Sequence, residues 1–351
     1  MLRFICGVEG TGKSVLLRKK LTEAASRGKN TIYIVPDQFS FEAEKLIYRT
    51  VPHEFSRRCR VTMFSREAQR LLKTYGETKP YADDIAKRII IKLALEEVCS
   101  EGGLEYYRGQ AEKEGFPAFA LNVISDMRGA GISPSELRSR LAAENTLTDV
   151  LARKLNDISL IYSAYDRILA LNFDDKLDDV RRASELATDT DEYSGSMIFI
   201  DEFDSFSGSQ LGFIHALLDK AEEVTVALTC DWPDCKDRRY EAVNRLIGKI
   251  AGDREKQITV LKERFREPSE LRVIKARDSW QECDWICAEI RSLMDSGVRC
   301  REIAVISPDI GSTRILGSAM MRYDIPLFAD IPETLISRSF VSFCIYTLKA
   351  L

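Results

Sequence analysis

Lys13 and Ser14 close the glycine-rich turn Gly7-Val-Glu-Gly-Thr-Gly-Lys-Ser14, and two adjacent carboxylates, Asp201 and Glu202, follow the apolar run at 197–200. The turn has the form G-x-x-x-x-G-K-[ST], in which glycines let the backbone bend until its N–H groups face phosphate oxygens. Gly7, Gly10 and Gly12 supply that freedom, Lys13 is placed to reach the outer phosphates, and the Ser14 hydroxyl is placed to bind magnesium. In an ATPase of this kind an Asp at a neighbouring strand end holds Mg²⁺ through water, and a Glu beside it orients or deprotonates the attacking water. Asp201 and Glu202 are the candidates for those roles, with Ser14 and Asp201 as the metal-binding pair and ATP and Mg²⁺ as the expected cofactors.

The surrounding pattern supplies the elements such a site needs. Leu2 to Cys6 reads as a buried strand, and from Lys13 the spacing turns helical, with Val15, Leu16, Leu17 and Leu21 along one side. Thr31 to Pro36 and Arg60 to Phe64 read as further strands. A helix follows each, at about Glu42 to Arg49 and from an N-cap at Ser65 through Leu72. Met197 to Ile200 and Val224 to Leu228 are two more strands, and Ser207-x-x-Gln210 is a capping box opening a helix through Leu218. Strands alternating with helices at this spacing imply an α/β fold with a parallel sheet.

Between Tyr81 and about Ala187 nothing reads as a strand. Ile85, Ile89, Leu93 and Val98 mark one helix, Phe116 to Met127 a second, and Ser133-Pro-Ser-Glu136 a helix start. Leu147 to Leu171 reads as a long amphipathic helix using Leu151, Leu155, Ile158, Ile161, Tyr165 and Ile168. Asp174 to Glu192 is acidic and turn-rich. The expectation is a large helical insertion into an α/β domain. Beyond it, Leu271 to Lys275 and Glu302 to Ile306, with a helix at about Trp280 to Asp295 between them, read as the start of a second α/β unit.

At 351 residues the chain suits two or three domains, and 45% hydrophobic with 30% charged residues is ordinary for a globular protein. No run is long and apolar enough to span a bilayer, and the N-terminus does not read as a secretory signal, so a cytoplasmic protein with no membrane partner is expected. The chain stops within a helical pattern, which suggests a piece of a longer polypeptide. Nine cysteines are then expected to be reduced. The Cys230/Cys235 and Cys283/Cys287 pairs lack the short spacing of a metal knuckle and read as free thiols. The net charge of −4 conceals an asymmetry: residues 1–73 hold 15 Lys+Arg against 7 Asp+Glu, leaving 36 against 48 in the remainder. A basic segment beside a phosphate loop suits ATP and a nucleic-acid backbone together, as well as a solvated surface.

Asp37-Gln-Phe-Ser-Phe41 and Thr62-Met-Phe-Ser-Arg66 both follow strand ends on the edge where open α/β sheets bind ligands. Phe39, Phe41, Phe64 and Arg66 are therefore candidate contacts to a nucleic acid. The rings would stack on bases, while Arg66 and Arg70 would meet phosphates. Core aromatics and a solvated basic face are the competing reading.

The segments FICGVEGTGKS, IVPDQFSFEAEKLI, VTMFSREAQRLL, FIDEFDSF, VTVAL and EIAVISPD with YDIPLFAD occur in the order and spacing of one family. The chain resembles the B subunit of the AddAB-type ATP-dependent helicase/deoxyribonucleases, relatives of UvrD-like superfamily-one helicases, over about the N-terminal third of that subunit. The resemblance implies a RecA-like (P-loop) helicase domain split into 1–78 and 194–268, a helical insertion at 79–193, and the start of a second RecA-like domain at 269–351. It implies repair of double-strand breaks as a heterodimer with an A subunit. It places Lys13, Ser14, Asp201 and Glu202 in a nucleotide site and the segments around Gln38 to Phe41 and Phe64 to Arg66 on a single-strand path. The family's nuclease motifs and 4Fe-4S cysteines lie outside this chain. Two departures bear on turnover: after VTVAL the chain reads Thr229-Cys-Asp231-Trp-Pro-Asp234 with no Gln to sense a terminal phosphate, and Arg264, Arg266 and Arg314 are only candidate arginine fingers. A catalytically degenerate motor serving as a DNA- and partner-binding scaffold is the alternative. A P-loop kinase for a small metabolite, which would carry an arginine-rich lid, fits less well.

Overall fold

The computed structural model describes residues 1–76, 78–143, 148–262, 270–307, 309–329, 335 and 338–350, and it divides into two compact units, 1–265 and 266–351. In the first unit, six strands form one sheet in the order β3-β2-β4-β5-β1-β6, every adjacent pair parallel. They are β1 (Leu2–Gly7), β2 (Thr31–Ile34), β3 (Cys59–Thr62), β4 (Met197–Ile200), β5 (Glu223–Thr229) and β6 (Lys256–Val260). Because all run the same way, the residues that follow β1, β2, β3, β4 and β5 all emerge at one edge. The α/β class and the parallel sheet expected from the sequence are both present.

Side chains alternate across the sheet, and both faces are covered. Leu2, Phe4, Ile32, Ile198, Ile200, Val224 and Val226 form one face's core with Ala68 and Leu71 of α3 (Phe64–Tyr75) and Phe213 and Leu217 of α9 (Gly208–Lys220). Ile5, Tyr33, Phe199 and Ala227 form the other with Leu17 and Leu21 of α1 (Lys13–Ser26) and Ala43 and Ile47 of α2 (Ser40–Thr50). α9 opens on the expected capping box, with Gln210 N–H donating to Ser207 Oγ at 3.2 Å and Ser207 N–H donating to Gln210 Oε1 at 2.8 Å. Ser65 is not an N-cap. α3 begins two residues earlier than that cap implies, at Phe64, with Met63 in the cap position and no side-chain cap bond.

The helical block is present as α4 (Asp84–Ser100), α5 (Phe116–Gly129), α6 (Pro134–Ala143) and α7 (Asp149–Asn172), with its own core of Ile91, Ala94, Ala120, Ile124, Ile161 and Tyr165. Leu147, expected to open the long helix, lies outside the described residues. The apolar side assigned to α4 needs correction. Ile85, Ile89 and Leu93 are exposed, and the helix packs through Ile90, Ile91, Ala94, Leu95 and Val98. This helix carries two apolar stripes, and periodicity alone does not say which one faces α7.

The acidic stretch at 174–192 is also not a loop, since it contains α8 (Asp179–Asp189). The small residues Ala183 and Ala187 of α8 join the sheet's core against α3 and α9 rather than the insert's core. A tenth helix, α10 (Glu241–Ala251), packs through Val243, Ile247 and Ile250 on the same face.

The second unit holds α11 (Ser279–Asp295), as expected, with α12 (Ile310–Arg322) and α13 (Ser339–Ala350). Cys283, Cys287 and Ile290 of α11 meet Leu316, Ala319 and Met320 of α12 in its core. The strands expected at Leu271 to Lys275 and Glu302 to Ile306 are not formed: neither segment has a ladder partner among the described residues, and Leu271, Val273 and Ile306 are exposed. A β-branched run becomes a strand only where a neighbouring strand takes up its backbone bonds.

Candidate phosphate-binding site

β1 delivers the chain directly into the glycine turn. A Cβ at Gly7 would lie 2.6 Å from Thr11 Oγ1 and 3.1 Å from the Leu261 carbonyl, so any side chain there would force the turn to shift. Gly10 and Gly12 have φ of +74° and +89°, the left-handed region open to glycine. The turn is closed on itself by Thr11 Oγ1 donating to Val8 O at 2.9 Å. Gly12 is the N-cap of α1, which has neither a side-chain cap nor an acidic residue in its first turn. Its first N–H groups and its positive end therefore remain for an external anion.

The four chemical residues converge beside that helix end. Glu9, Gly10, Gly12, Lys13, Ser14, Val15, Asp201, Glu202, Phe203, Ala227 and Thr229 line a cavity of about 480 Å³, within the range of small-molecule sites. Lys13 is only 8% exposed, and its ammonium donates to Val8 O at 2.9 Å. Ser14 Oγ donates to Glu202 Oε1 at 2.9 Å, joining the first turn of α1 to the end of β4. Asp201 is 2% exposed and receives Tyr33 Oη at 2.7 Å and the Glu202 N–H at 3.0 Å. Glu202 sits at φ +64°, a left-handed conformation that costs a non-glycine residue ~1 kcal/mol or more and aims its carboxylate into the cavity mouth.

Burial lowers the affinity of the Lys13 amine for its proton, with Glu9, Asp201 and Glu202 opposing the change. Burial also raises the Asp201 carboxyl above its ordinary value, offset in part by the Tyr33 hydrogen bond. Burial therefore disfavours the charge on both groups, and a divalent cation with a polyphosphate would offset both costs. The donors near the cation position are a hydroxyl and carboxylates, the hard oxygen ligands that suit Mg²⁺. No group of three or more His, Cys, Asp or Glu suited to a metal occurs among the described residues.

Sequence reasoning missed three participants. Tyr33, on the β2 neighbour of β4, supplies the buried bond to Asp201, and no motif marks it. Tyr240 donates to Glu9 of the turn at 2.5 Å, tying the segment after β5 to the phosphate loop. Thr229 reaches the cavity from the end of β5. In the segment after β5, which lacks the Gln, Asp231 serves its own loop: it accepts from Lys236 N, Asp237 N and Asn244 Nδ2, each at 2.8 Å. Arg264 and Arg266 lie outside the described residues, and Arg314 is an exposed residue of α12 in the second unit.

The expected DNA contacts separate into two groups. β2 and β3 are adjacent, so Gln38, Phe39 and Phe41 emerge beside Ser65 and Arg66. Gln38 and Phe39 are exposed, Phe41 is 72% exposed, and Arg66 is exposed with its guanidinium 2.9 Å from Glu44 of α2. Phe64 is a correction. It is 3% exposed and packs edge-on against Phe203, Phe206 and Phe213, so it cannot stack on a base. Arg70 is another, since its guanidinium bonds Glu67 and Glu192 at 2.8 Å each. Much of the positive charge of residues 1–73 is similarly matched, with Arg3 on Glu223, Lys29 on Glu222 and Arg60 on Glu67.

Residues 4–273 match the family model described as ADDB, N-terminal. A protein of Listeria monocytogenes serotype 4a (strain HCC23), named as the B subunit of an ATP-dependent helicase/deoxyribonuclease, is 27% identical over 100% of this chain and 33% of its own length. Proteins of the same name from Clostridium novyi (strain NT) and Listeria innocua serovar 6a (strain ATCC BAA-680 / CLIP 11262) are each 28% identical, over 93% and 100% of this chain and 32% and 33% of their own lengths. The chain spans about a third of the length of these relatives.

Proposed function

The chain belongs to the ADDB N-terminal family, and on that premise we propose that it is the nucleotide-binding, helicase-like part of a helicase/deoxyribonuclease subunit that processes DNA ends. The observation that carries the reading is the meeting of Lys13, Ser14, Asp201 and Glu202 at one cavity fed by β1 and β4. ATP would lie with its phosphates on the Gly7–Ser14 turn and the start of α1. Bound Mg²⁺ would neutralise phosphate charge there. Lys13 would exchange its bond to Val8 O for an outer phosphate oxygen, Ser14 and Asp201 would hold the cation side, and Glu202 would orient water and take its proton. Residues 1–78 and 194–268 would form a RecA-like domain and 269–351 part of a second. The expected 79–193 insert would close earlier, because α8 packs with the sheet. Gln38, Phe39, Phe41, Ser65 and Arg66 would contact a single strand, and the A subunit of the heterodimer would be the protein partner.

A second reading, a motor that binds ATP without efficient turnover and serves as a scaffold, is favoured by the segment after β5, which reads Thr229-Cys-Asp231-Trp-Pro-Asp234 with no Gln to sense a terminal phosphate. DNA-stimulated ATPase of the heterodimer, with the A-subunit motor inactivated, separates the two. Turnover abolished by Lys13→Ala supports the motor. Tight ATP binding without Lys13-dependent turnover supports the scaffold, and failure to bind ATP rejects both.

A further inference from the structure

We infer that Glu9, by charge repulsion, makes this site favour magnesium-complexed over free nucleotide, and that Tyr240 is the positioning residue for its carboxylate; this rests on the nucleotide reading of the cavity. Glu9 is the one acidic residue in Gly7–Ser14. It is exposed, and it lines the same cavity as Lys13 and Ser14. The turn presents backbone N–H groups and a helix end to an anion, so an acidic side chain within it works against the ligand. Tyr240 meets that conflict from the far end of the unit. Its hydroxyl donates to Glu9 Oε2 at 2.5 Å.

The side from which Tyr240 comes decides where the carboxylate is drawn. Tyr240 is 6% exposed and shares a core with Val243 and Ile247 of α10, on the face of the sheet that holds α9. Leu17 and Leu21 of α1 lie in the core of the opposite face. Glu9 is therefore drawn toward the α10 side, away from the end of α1 where phosphates would sit. Tyr240 is itself fixed. Its N–H donates to Asp237 O at 3.0 Å, and the Arg239 guanidinium, bonded to Asp237 at 2.6 Å, lies 5.4 Å over its ring. The Tyr240 bond, with the Glu9 N–H, Lys13 and Arg239 adding to it, holds the Glu9 carboxyl below its ordinary value, so Glu9 is charged at neutral pH. A fixed negative charge at the cavity repels a ligand in proportion to the ligand's own charge. Mg²⁺ cancels part of the charge on a polyphosphate, so Glu9 disfavours the free nucleotide more than its magnesium complex.

The test measures equilibrium binding of a non-hydrolysable ATP analogue, with Mg²⁺ and with a chelator in its place, to the wild-type chain, Glu9→Gln, Tyr240→Phe and the double variant. Glutamine keeps the size of Glu9 and still accepts from Tyr240, while phenylalanine keeps the buried ring and removes the hydroxyl alone. Glu9→Gln is expected to tighten the free analogue ~10-fold and its magnesium complex ~3-fold, the scale of unit charges separated by partly solvated protein. Tyr240→Phe frees the carboxylate and should weaken the complex ~3-fold when Glu9 is present, but change it less than ~2-fold in the Glu9→Gln background. Affinities that are unchanged or weakened in Glu9→Gln overturn the inference alone, and equal tightening of both forms overturns the magnesium preference. Equal weakening by Tyr240→Phe in both backgrounds marks a structural role and overturns the positioning. Wild-type protein that binds the analogue in neither condition overturns the reading of the cavity and the inference with it.

Discussion

Two clusters of buried charge in the first unit treat their cations oppositely, although burial raises a carboxyl in each, Asp201 in one and Asp178 in the other. At the phosphate loop, burial pulls Lys13 toward its neutral amine and Asp201 toward its neutral acid. In the helical block, Arg128 of α5 is only 2% exposed, and burial works against its charge too. There the carboxylates of Asp178, Asp166 and Asp175 outweigh burial and hold the guanidinium above its ordinary value. Arg128 bonds Asp166 and Asp178 directly, lies 3.7 Å from Asp175, and stacks 5.5 and 5.7 Å from the ring centres of Tyr165 and Tyr162. The cluster matches its cation with carboxylates of the same chain, although Arg128 Nε has no hydrogen-bond partner among the described residues, and it ties α5 to α7 and to the start of α8. The phosphate-loop cluster is not complete within the chain. Its positive helix end, its lysine and its two carboxylates face a cavity, an arrangement that costs stability unless a ligand matches it.

The comparison breaks first if the Arg128 cluster proves dispensable. Arg128→Met leaves Asp178 without its bonded counter-charge, while Asp175 keeps Lys87 at 2.8 Å, and is expected to cost ~3–5 kcal/mol of unfolding free energy. Lys13→Met, by contrast, is expected to leave stability unchanged or slightly raised; denaturant unfolding of both variants checks the pair. Next in size is the exposed aromatic at the strand edge, which belongs with the ligand-facing region. Phe41→Ala should weaken single-strand DNA binding by ~1–3 kcal/mol while leaving the melting temperature unchanged. Fluorescence anisotropy on oligonucleotides measures it, and an unaltered affinity removes Phe41 from the path.

Asp201→Asn is expected to stabilise the protein by ~1 kcal/mol at neutral pH while removing the Mg²⁺ dependence of nucleotide binding. The sign follows from the raised carboxyl. The folded chain holds that proton more tightly than the unfolded chain, so the wild type loses stability as pH rises from the unfolded value through the folded one. The variant has nothing there to titrate, and its advantage should vanish in acid and reach a plateau above that window. Unfolding at several pH values reads this directly, and an advantage independent of pH contradicts it. The smallest effect is at Arg66, whose exposed pair with Glu44 adds little to stability. Arg66→Glu should reduce the salt dependence of DNA binding by about one counterion, measured as the slope of log affinity against log salt.

The sheet and the ligand-facing cluster were largely legible in the sequence, because glycine chemistry and buried parallel strands leave sharp local patterns. β1, β2, β4 and β5 each carry a compact apolar run, and Gly7 to Ser14 and Asp201-Glu202 mark the ends of β1 and β4. β6 left no such mark. As an edge strand paired only with β1, its Lys256 and Gln257 are exposed and its sequence shows no apolar run. α8 was hidden by its acidic composition, since it packs through alanines rather than large side chains. Arg128 and its carboxylates were invisible because the partners lie 38 to 50 residues away and only tertiary packing joins them. Phe64 was misread because strand-end aromatics look alike in sequence, and only the cluster with Phe203, Phe206 and Phe213 shows that it faces inward.

The central claim is that the charges at the phosphate loop are completed by a magnesium-bound nucleoside triphosphate. Calorimetric titration of the chain with a non-hydrolysable ATP analogue, with and without Mg²⁺, in wild type and Lys13→Ala, tests it most directly. The account predicts one site per chain, tighter with Mg²⁺ than without, and lost in the Lys13 variant while the fold persists. Saturable binding of equal strength in the Lys13→Ala protein, or no binding by wild type, would contradict it.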